Sequence, residues 1–167
     1  MDVIALSIKI KPELYKLSIA NPLHWIATGF GSGLSPKAPG TFGSLAAIPF
    51  FYLLQMLPMP AYLVMLVLTF ALGVWACQSA TNAIGMDDHG AIVWDEFVGM
   101  WITCIALPQG FIWMIAAFVT FRFFDILKPW PIRWFDNHCT GGFGIMIDDV
   151  IAGLIAFGVI QAIYWAL

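Results

Sequence analysis

The chain has 167 residues, 61% of them hydrophobic and 10% charged, with a formal net charge of −3. Soluble domains average about 45–50% apolar and about 25% charged residues, so this chain carries too little polar surface to cover itself in water. The composition predicts an integral membrane protein, and the negative balance offers no basic field for nucleic acid.

The N-terminal stretch "MDVIALSIKIKPELYKLSIANP" places its apolar run before its lysines and has no small-residue cleavage site, so it does not read as a signal peptide. It reads as an interfacial segment over residues 1–20, with Lys9, Lys11 and Lys16 toward lipid headgroups. Residues 22–44 are rich in Gly and Pro and form a loop, in part re-entrant, that leads into a first helix at about 43–57, which Pro49 would kink. "PMP" turns the chain into a second helix at about 61–83, and "IGMDDHGA" (84–91) is a polar loop. A third helix follows at about 92–107, a "PQG" turn at 108–110, and a fourth helix at about 111–127. Residues 128–144 form a second long polar loop before a fifth helix at about 145–166. The predicted fold is all-α, a single domain over 1–167, built as a polytopic membrane bundle of about five helices. Several of these helices are short of the roughly 20 residues that a 30 Å hydrocarbon core asks for.

The turns at 58–60 and 108–110 are tiny and uncharged, whereas those at 28–42, 81–91 and 128–144 are long and polar. In an alternating bundle the three long ones share a face. That face also carries Lys37, Lys128 and Arg133, so the positive-inside rule makes it cytoplasmic. Two acidic pairs lie there, Asp95–Glu96 at the start of helix three and Asp148–Asp149 at the start of helix five, with Arg122, Asp125 and Lys128 at the end of helix four.

Ionisable residues in membrane segments cost about 2.5–3.5 kcal/mol each at mid-depth and persist where they pair or serve a site. Carboxylates from several helices suit Mg²⁺, which favours oxygen ligands, water and substrate phosphate. Charge pairing between helices, such as Asp125 with Arg122 or Lys128, is the plainer reading and is compatible with the first. Pairing alone leaves two repelling doublets unexplained. Each doublet has a glycine four residues on, Gly99 after Asp95 and Gly153 after Asp149. Positions i and i+4 share a helix face, so helices three and five are expected to pack closely there.

Arg122 and Asp125 share a face of helix four, and Lys128 lies one turn further on. Arg122 and Lys128 would clamp phosphate oxygens or simply decorate a cytoplasmic helix end. The stretch "GFGSGLSPKAPGTFGS" has five glycines before a helix start, the makings of an anion site or of a tight turn, and Thr41 and Ser44 add hydroxyls. Cys77, Cys104 and Cys139 show no disulfide or metal spacing. His89 and His138 read as structural loop residues and His24 as interfacial.

The blocks "GFGSGLSPKAPGTFGSLAAIPF", "HGAIVWDEFVGMWIT", "FRFFDILKPWPIRWFD" and "GGFGIMIDDVIAG" resemble the phosphatidylglycerophosphatase A family of bacterial inner membranes over about residues 21–160. The resemblance implies that residues 21–167 form a helical lipid phosphatase. It would be Mg²⁺-dependent, converting phosphatidylglycerophosphate to phosphatidylglycerol and phosphate. Carried onto this chain, the acidic positions are Asp95, Glu96, Asp125, Asp148 and Asp149, and the basic ones Arg122 and Lys128. The roles expected from their chemistry are metal ligation by Asp95, Glu96, Asp148 and Asp149, with Asp95, Glu96, Asp125 and Asp149 in the catalytic set. Lys37, Gly40, Thr41, Arg122 and Lys128 would hold the substrate. Asp125 would orient Arg122 or act as general base, and Mg²⁺-activated water or an aspartyl nucleophile would attack phosphorus. The expected setting is the cytoplasmic face of the inner membrane, with membrane lipid and no nucleic acid as partner. The competing class is a small ion or proton transporter using paired intramembrane carboxylates, which would hold them nearer the bilayer midplane.

Overall fold

The computed structural model describes Leu14 and residues 16–18, 20–86 and 89–167. Most of the predicted interfacial segment, Lys9 and Lys11 included, lies outside the described residues. Among these, seven α-helices and no strand occur: α1 (Pro22–Ala27), α2 (Pro39–Leu54), α3 (Met59–Ile84), α4 (Trp94–Thr103), α5 (Phe111–Leu127), α6 (Ile132–His138) and α7 (Gly141–Ala166). A 3₁₀ turn at Ser32–Leu34 stands between α1 and α2.

Local chemistry sets the helix boundaries. The Asn21 side chain caps α1, accepting from the Leu23 N–H at 3.0 Å. Proline falls in the first turn of α2 and of α3, where a missing N–H costs nothing. Gly85 ends α3 at φ 80, in the left-handed region that glycine adopts freely. The Lys16 ammonium donates to the Ile84 carbonyl at 3.0 Å, so this lysine caps α3 rather than serving headgroups alone. The five predicted long helices correspond to α2, α3, α4, α5 and α7. The additional α1 and α6, of 6 and 7 residues, lie inside the two polar loops, too brief for hydrophobic periodicity to reveal.

Two helices, α3 and α7, are long and apolar enough to cross a bilayer, at 26 residues each. At 16 and 17 residues, α2 and α5 fall somewhat short. The expectation of a spanning helix over 92–107 needs correction. Helix α4 has 10 residues, about 15 Å at 1.5 Å per residue, half of a 30 Å core. It is the buried centre of the bundle: Phe97, Val98, Met100 and Thr103 expose no surface. Neighbours surround it on every side. Trp101 Nε1 donates to the Ala47 carbonyl of α2 at 2.9 Å. Tyr62 of α3 donates to the Trp101 carbonyl at 2.7 Å, and Trp94 Nε1 to the Thr69 carbonyl at 3.1 Å. A helix apolar all round is equally a lipid-facing or an interior helix by sequence, and here it is interior. Large apolar side chains on the outside, among them Leu53, Val67, Trp75, Phe111 and Ile126, are each more than half exposed. Such an exterior suits association with lipid.

The tightest seam runs between α4 and α7. A Cβ on Gly153 would stand 2.5 Å from the Gly99 carbonyl oxygen, and one on Gly99 would stand 2.8 Å from the Asp149 carbonyl oxygen and 2.6 Å from the Phe121 ring of α5. The two glycines singled out by their spacing from the acidic doublets therefore face each other. Gly153→Ala is expected to lower stability in detergent by about 1–3 kcal/mol, because backbone, not a flexible side chain, occupies the space. Gly158→Ala, where a methyl meets nothing within 4 Å, should leave the melting temperature level or slightly higher. Equal melting temperatures for the two variants would refute this seam.

Candidate active site

Four helix ends converge at one end of the bundle. The first turn of α4 carries Asp95 and Glu96, where a helix N-terminus favours negative charge. Asp149 projects from α7 two turns after its start, and Arg122 and Asp125 from the last turns of α5. The first turn of α2 presents Gly40 and Thr41.

One carboxylate oxygen each from Asp95, Glu96 and Asp149 lies within 4.8 Å of the others. Asp95 Oδ1, Glu96 Oε2 and Asp149 Oδ2 are buried and meet no hydrogen-bond donor among the described residues. Asp125 adds a fourth carboxylate, close enough to Asp149 and Glu96 to interact with both. The cation facing them is Arg122. It is ion-paired with Asp125 one turn on, stands 3.8 Å from Glu96 Oε1, and donates to Ser44 Oγ at 3.4 Å. Its Nε is also buried without an acceptor among the described residues. Four carboxylates against one guanidinium leave a formal charge of −3 in a largely buried space. Like charges so placed repel unless a cation joins them. The donor set fits a small hard divalent ion: three carboxylate oxygens without donors, with no histidine or cysteine among them. Adjacent oxygens in an octahedral Mg²⁺ shell stand about 3 Å apart, so side-chain adjustments of an ångström or so would close the shell.

Gly40 lies against this cluster. A Cβ there would run into Glu96 Oε1 and stand 3.1 and 3.2 Å from the two terminal nitrogens of Arg122. The N-terminus of α2, with its free backbone N–H groups, is thereby aimed at the same space as the guanidinium. The other glycines of the loop do different work. Gly29, Gly33 and Gly43 all press on Val93, and the Val93 N–H donates to the Ala27 carbonyl at 2.8 Å. The glycine-rich stretch is thus mainly a clasp on the residue two before Asp95, and only its last part reaches the cluster.

Of the predicted site residues, the structure brings together Asp95, Glu96, Asp125, Asp149, Arg122 and Gly40, with Thr41 beside Gly40. It does not bring Asp148 in. That residue points away from Asp149 by the 100° step of an α-helix and meets Lys128 Nζ at 2.7 Å. The expectation that both members of the second doublet bind one metal is corrected accordingly. Lys128 also pairs with Asp136 of α6, a partner that no sequence spacing signalled. Burial works against the charge on Lys128, but Asp148 and Asp136 outweigh it and hold the ammonium pKa above its ordinary value. Lys37 is exposed in the loop before α2. The sequence assigns Gln78 no role, though an amide midway along a mostly apolar helix is a signal. Its Oε1 accepts from the Gly142 N–H at 2.8 Å and so fixes the start of α7. His24 is buried in α1, accepting from the Ser18 N–H at 2.9 Å, rather than interfacial. His89 accepts from the Ala91 N–H at 3.1 Å, and His138 stacks on Trp134, so both are structural.

An arginine and a helix N-terminus beside a carboxylate cluster suit a cation together with an anionic group, and the apolar exterior of the bundle is compatible with membrane association. The chain belongs to the phosphatidylglycerophosphatase A family, whose profile matches residues 25–164. It is 53% identical to phosphatidylglycerophosphatase A of Escherichia coli K12, over 91% of this chain and 90% of that protein. It is also 53% identical to phosphatidylglycerophosphatase A of Haemophilus influenzae, over 92% of this chain and 96% of the relative. A Bacteroides thetaiotaomicron protein provisionally named a phosphatidylinositol-3-phosphatase is 43% identical over 85% of this chain and 93% of its own length. No solved structure matches the chain.

Lys128→Met would leave Asp148, 8% exposed at its side chain, without its cation. The expected loss is about 1–3 kcal/mol, discounted from the figure for fully buried pairs because Lys128 remains a quarter exposed. A raised folded pKa gives stability that is complete below the unfolded value near 10.4 and fades as pH climbs through the folded one. The gap in melting temperature between wild type and Lys128→Met should therefore stay level from pH 6 to 9 and narrow only above about pH 10.5. A gap that closes within pH 6–9 would contradict the pairing.

Proposed function

We propose that this protein hydrolyses the terminal phosphomonoester of phosphatidylglycerophosphate, giving phosphatidylglycerol and phosphate, with Mg²⁺ at the cytoplasmic face of a bacterial inner membrane. The observation that carries this reading is the trio of buried carboxylate oxygens without donors, set beside Arg122 and the start of α2. The substrate is the one named for two relatives that align with about nine-tenths of the chain.

Asp95, Glu96 and Asp149 would hold the ion. When bound, the ion would offset phosphoryl charge and make a water more acidic. The Arg122 guanidinium and the first N–H groups of α2 bind the phosphoryl oxygens, as a planar fork and a helix N-terminus do. Asp125 holds the guanidinium in position through its ion pair. In hydrolysis a water oxygen bonds to phosphorus, the ester bond to the glycerol oxygen breaks, and that oxygen leaves with a proton. Water is the nucleophile in this reading because the carboxylates are gathered on one another as ligands. Lys37 and Arg133 lie at the same end of the bundle and supply positive charge for an anionic headgroup. Positive residues at that end also support a cytoplasmic placement.

Phosphate release from phosphatidylglycerophosphate in detergent micelles tests this directly. Chelation should abolish release, and Asp95→Asn or Asp149→Asn should lower kcat by about 100-fold or more. Mg²⁺ should raise the melting temperature of wild type and of Asp148→Asn but not of Asp149→Asn, since only ligands link the ion to folding. Release that survives chelation, or a Mg²⁺-dependent rise undiminished in Asp149→Asn, would remove the proposed site.

A further inference from the structure

We propose that the cleft between α6 and the start of α7 seats the glycerol part of the lipid headgroup and so selects which phosphomonoester lipids are accepted; this rests on the phosphatase reading above. The cleft measures about 150 Å³ and is lined by Asp136, Cys139, Thr140, Gly141, Gly144, Ile145 and Asp148. It neighbours the carboxylate cluster along α7. Asp148 and Asp149 are consecutive on α7, and a single helical step sends one into each compartment. Helix α5 divides likewise, with Asp125 turned to the cluster and Lys128, one turn on at the helix end, bridging Asp136 and Asp148.

The two compartments differ in chemistry. The cluster gathers excess negative charge around an arginine and suits a cation with a phosphoryl group. In the cleft one ammonium offsets two carboxylates, which repels a second phosphate dianion but supplies good acceptors for hydroxyl groups. The Thr140 hydroxyl stands at the N-cap of α7 without making the usual capping bond. Gly144 packs backbone to backbone on Cys139, where a Cβ would stand 2.5 Å from the carbonyl oxygen, and so fixes the position of Cys139 at the cleft. Carboxylates and a hydroxyl, together with the apolar Ile145, suit a small polyol, which offers both hydroxyl groups and C–H faces. The relatives are named for glycerol and inositol headgroups, both polyols. Phosphatidylglycerophosphate has its headgroup glycerol next to the scissile phosphate, so a phosphoryl group in the cluster would set that glycerol beside the cleft.

Cys139 reports occupancy, because it lines the cleft while Cys77 and Cys104 are buried. Alkylation of Cys139 by N-ethylmaleimide should slow about fivefold in micelles containing phosphatidylglycerol, but not with phosphatidylethanolamine at the same mole fraction or with free glycerol at the same concentration. Thr140→Val should lose that protection and raise KM for phosphatidylglycerophosphate about tenfold while kcat stays within twofold. A merely structural threonine would lower kcat and stability together. Asp136→Asn should weaken protection in the same way, a second reading should Thr140→Val fail to fold. Protection that is absent, or that both phospholipids or free glycerol give alike, overturns the proposal, as does a parallel fall in kcat for a folded Thr140→Val. If the phosphatase reading itself fails, no phosphate is released, yet Cys139 protection still reports on the cleft.

Discussion

Mutual repulsion among Asp95, Glu96, Asp125 and Asp149 is the constraint around which this molecule is organised. Partial burial reduces the water that would screen them, and Arg122 answers only one of the four charges. The side chains stay together because the backbone holds them there. Gly99 and Gly153 let α4 and α7 meet backbone to backbone, and Phe121 of α5 closes over Gly99. Apolar packing around α4 therefore offsets the electrostatic cost, and a divalent ion would relieve it. An ion binding there would find its ligands already gathered, so no affinity would be lost to assembling them.

Two of the charged runs divide between two tasks, whereas Asp95 and Glu96, consecutive on α4, both reach the cluster. On α7 Asp149 joins the cluster while Asp148 is turned to Lys128, and residues 125 and 128 are spread along the end of α5. One of each pair serves the metal-type cluster and the other serves the cleft against α6. The ion pairs of Lys128 are therefore part of how the second compartment is built, and they also pin α6 to α7. Charge is kept local on both sides: Asp125 with Arg122, Asp148 and Asp136 with Lys128.

The sequence made the acidic doublets, the glycines four residues on, and the Arg122–Asp125 pair legible, because each depends only on i, i+3 and i+4 relations along one helix. The family motifs covered the rest of the cluster. Three things were hidden. Which doublet residue turns inward depends on how α7 is rotated, and that rotation is set by contacts with α3 such as Gln78 to Gly142. Asp136 pairs with Lys128 across a loop, a relation with no periodicity. The depth of α4 was misread because hydrophobicity cannot distinguish lipid from protein as the apolar surroundings.

The brevity of α4 accounts for where the site lies. Long helices α3 and α7 can carry the apolar exterior from one side of a bilayer to the other, while a ten-residue helix between them leaves space at one end. The loop that begins with α1 fills that space. Gly29, Gly33 and Gly43 wrap Val93 so closely that any side chain there would push it away, and Val93 is itself tied to Ala27 through its N–H. With Val93 fixed, the first turn of α4 can go in only one direction, and Asp95 and Glu96 follow it. The glycines therefore act on the carboxylates through the backbone they clasp, and only Gly40 stands where a phosphate would touch it. In the proposed reading, a lipid held at the membrane surface would present its headgroup to this end of the bundle without leaving the bilayer, the geometry that a phosphomonoester on a diacyl chain requires.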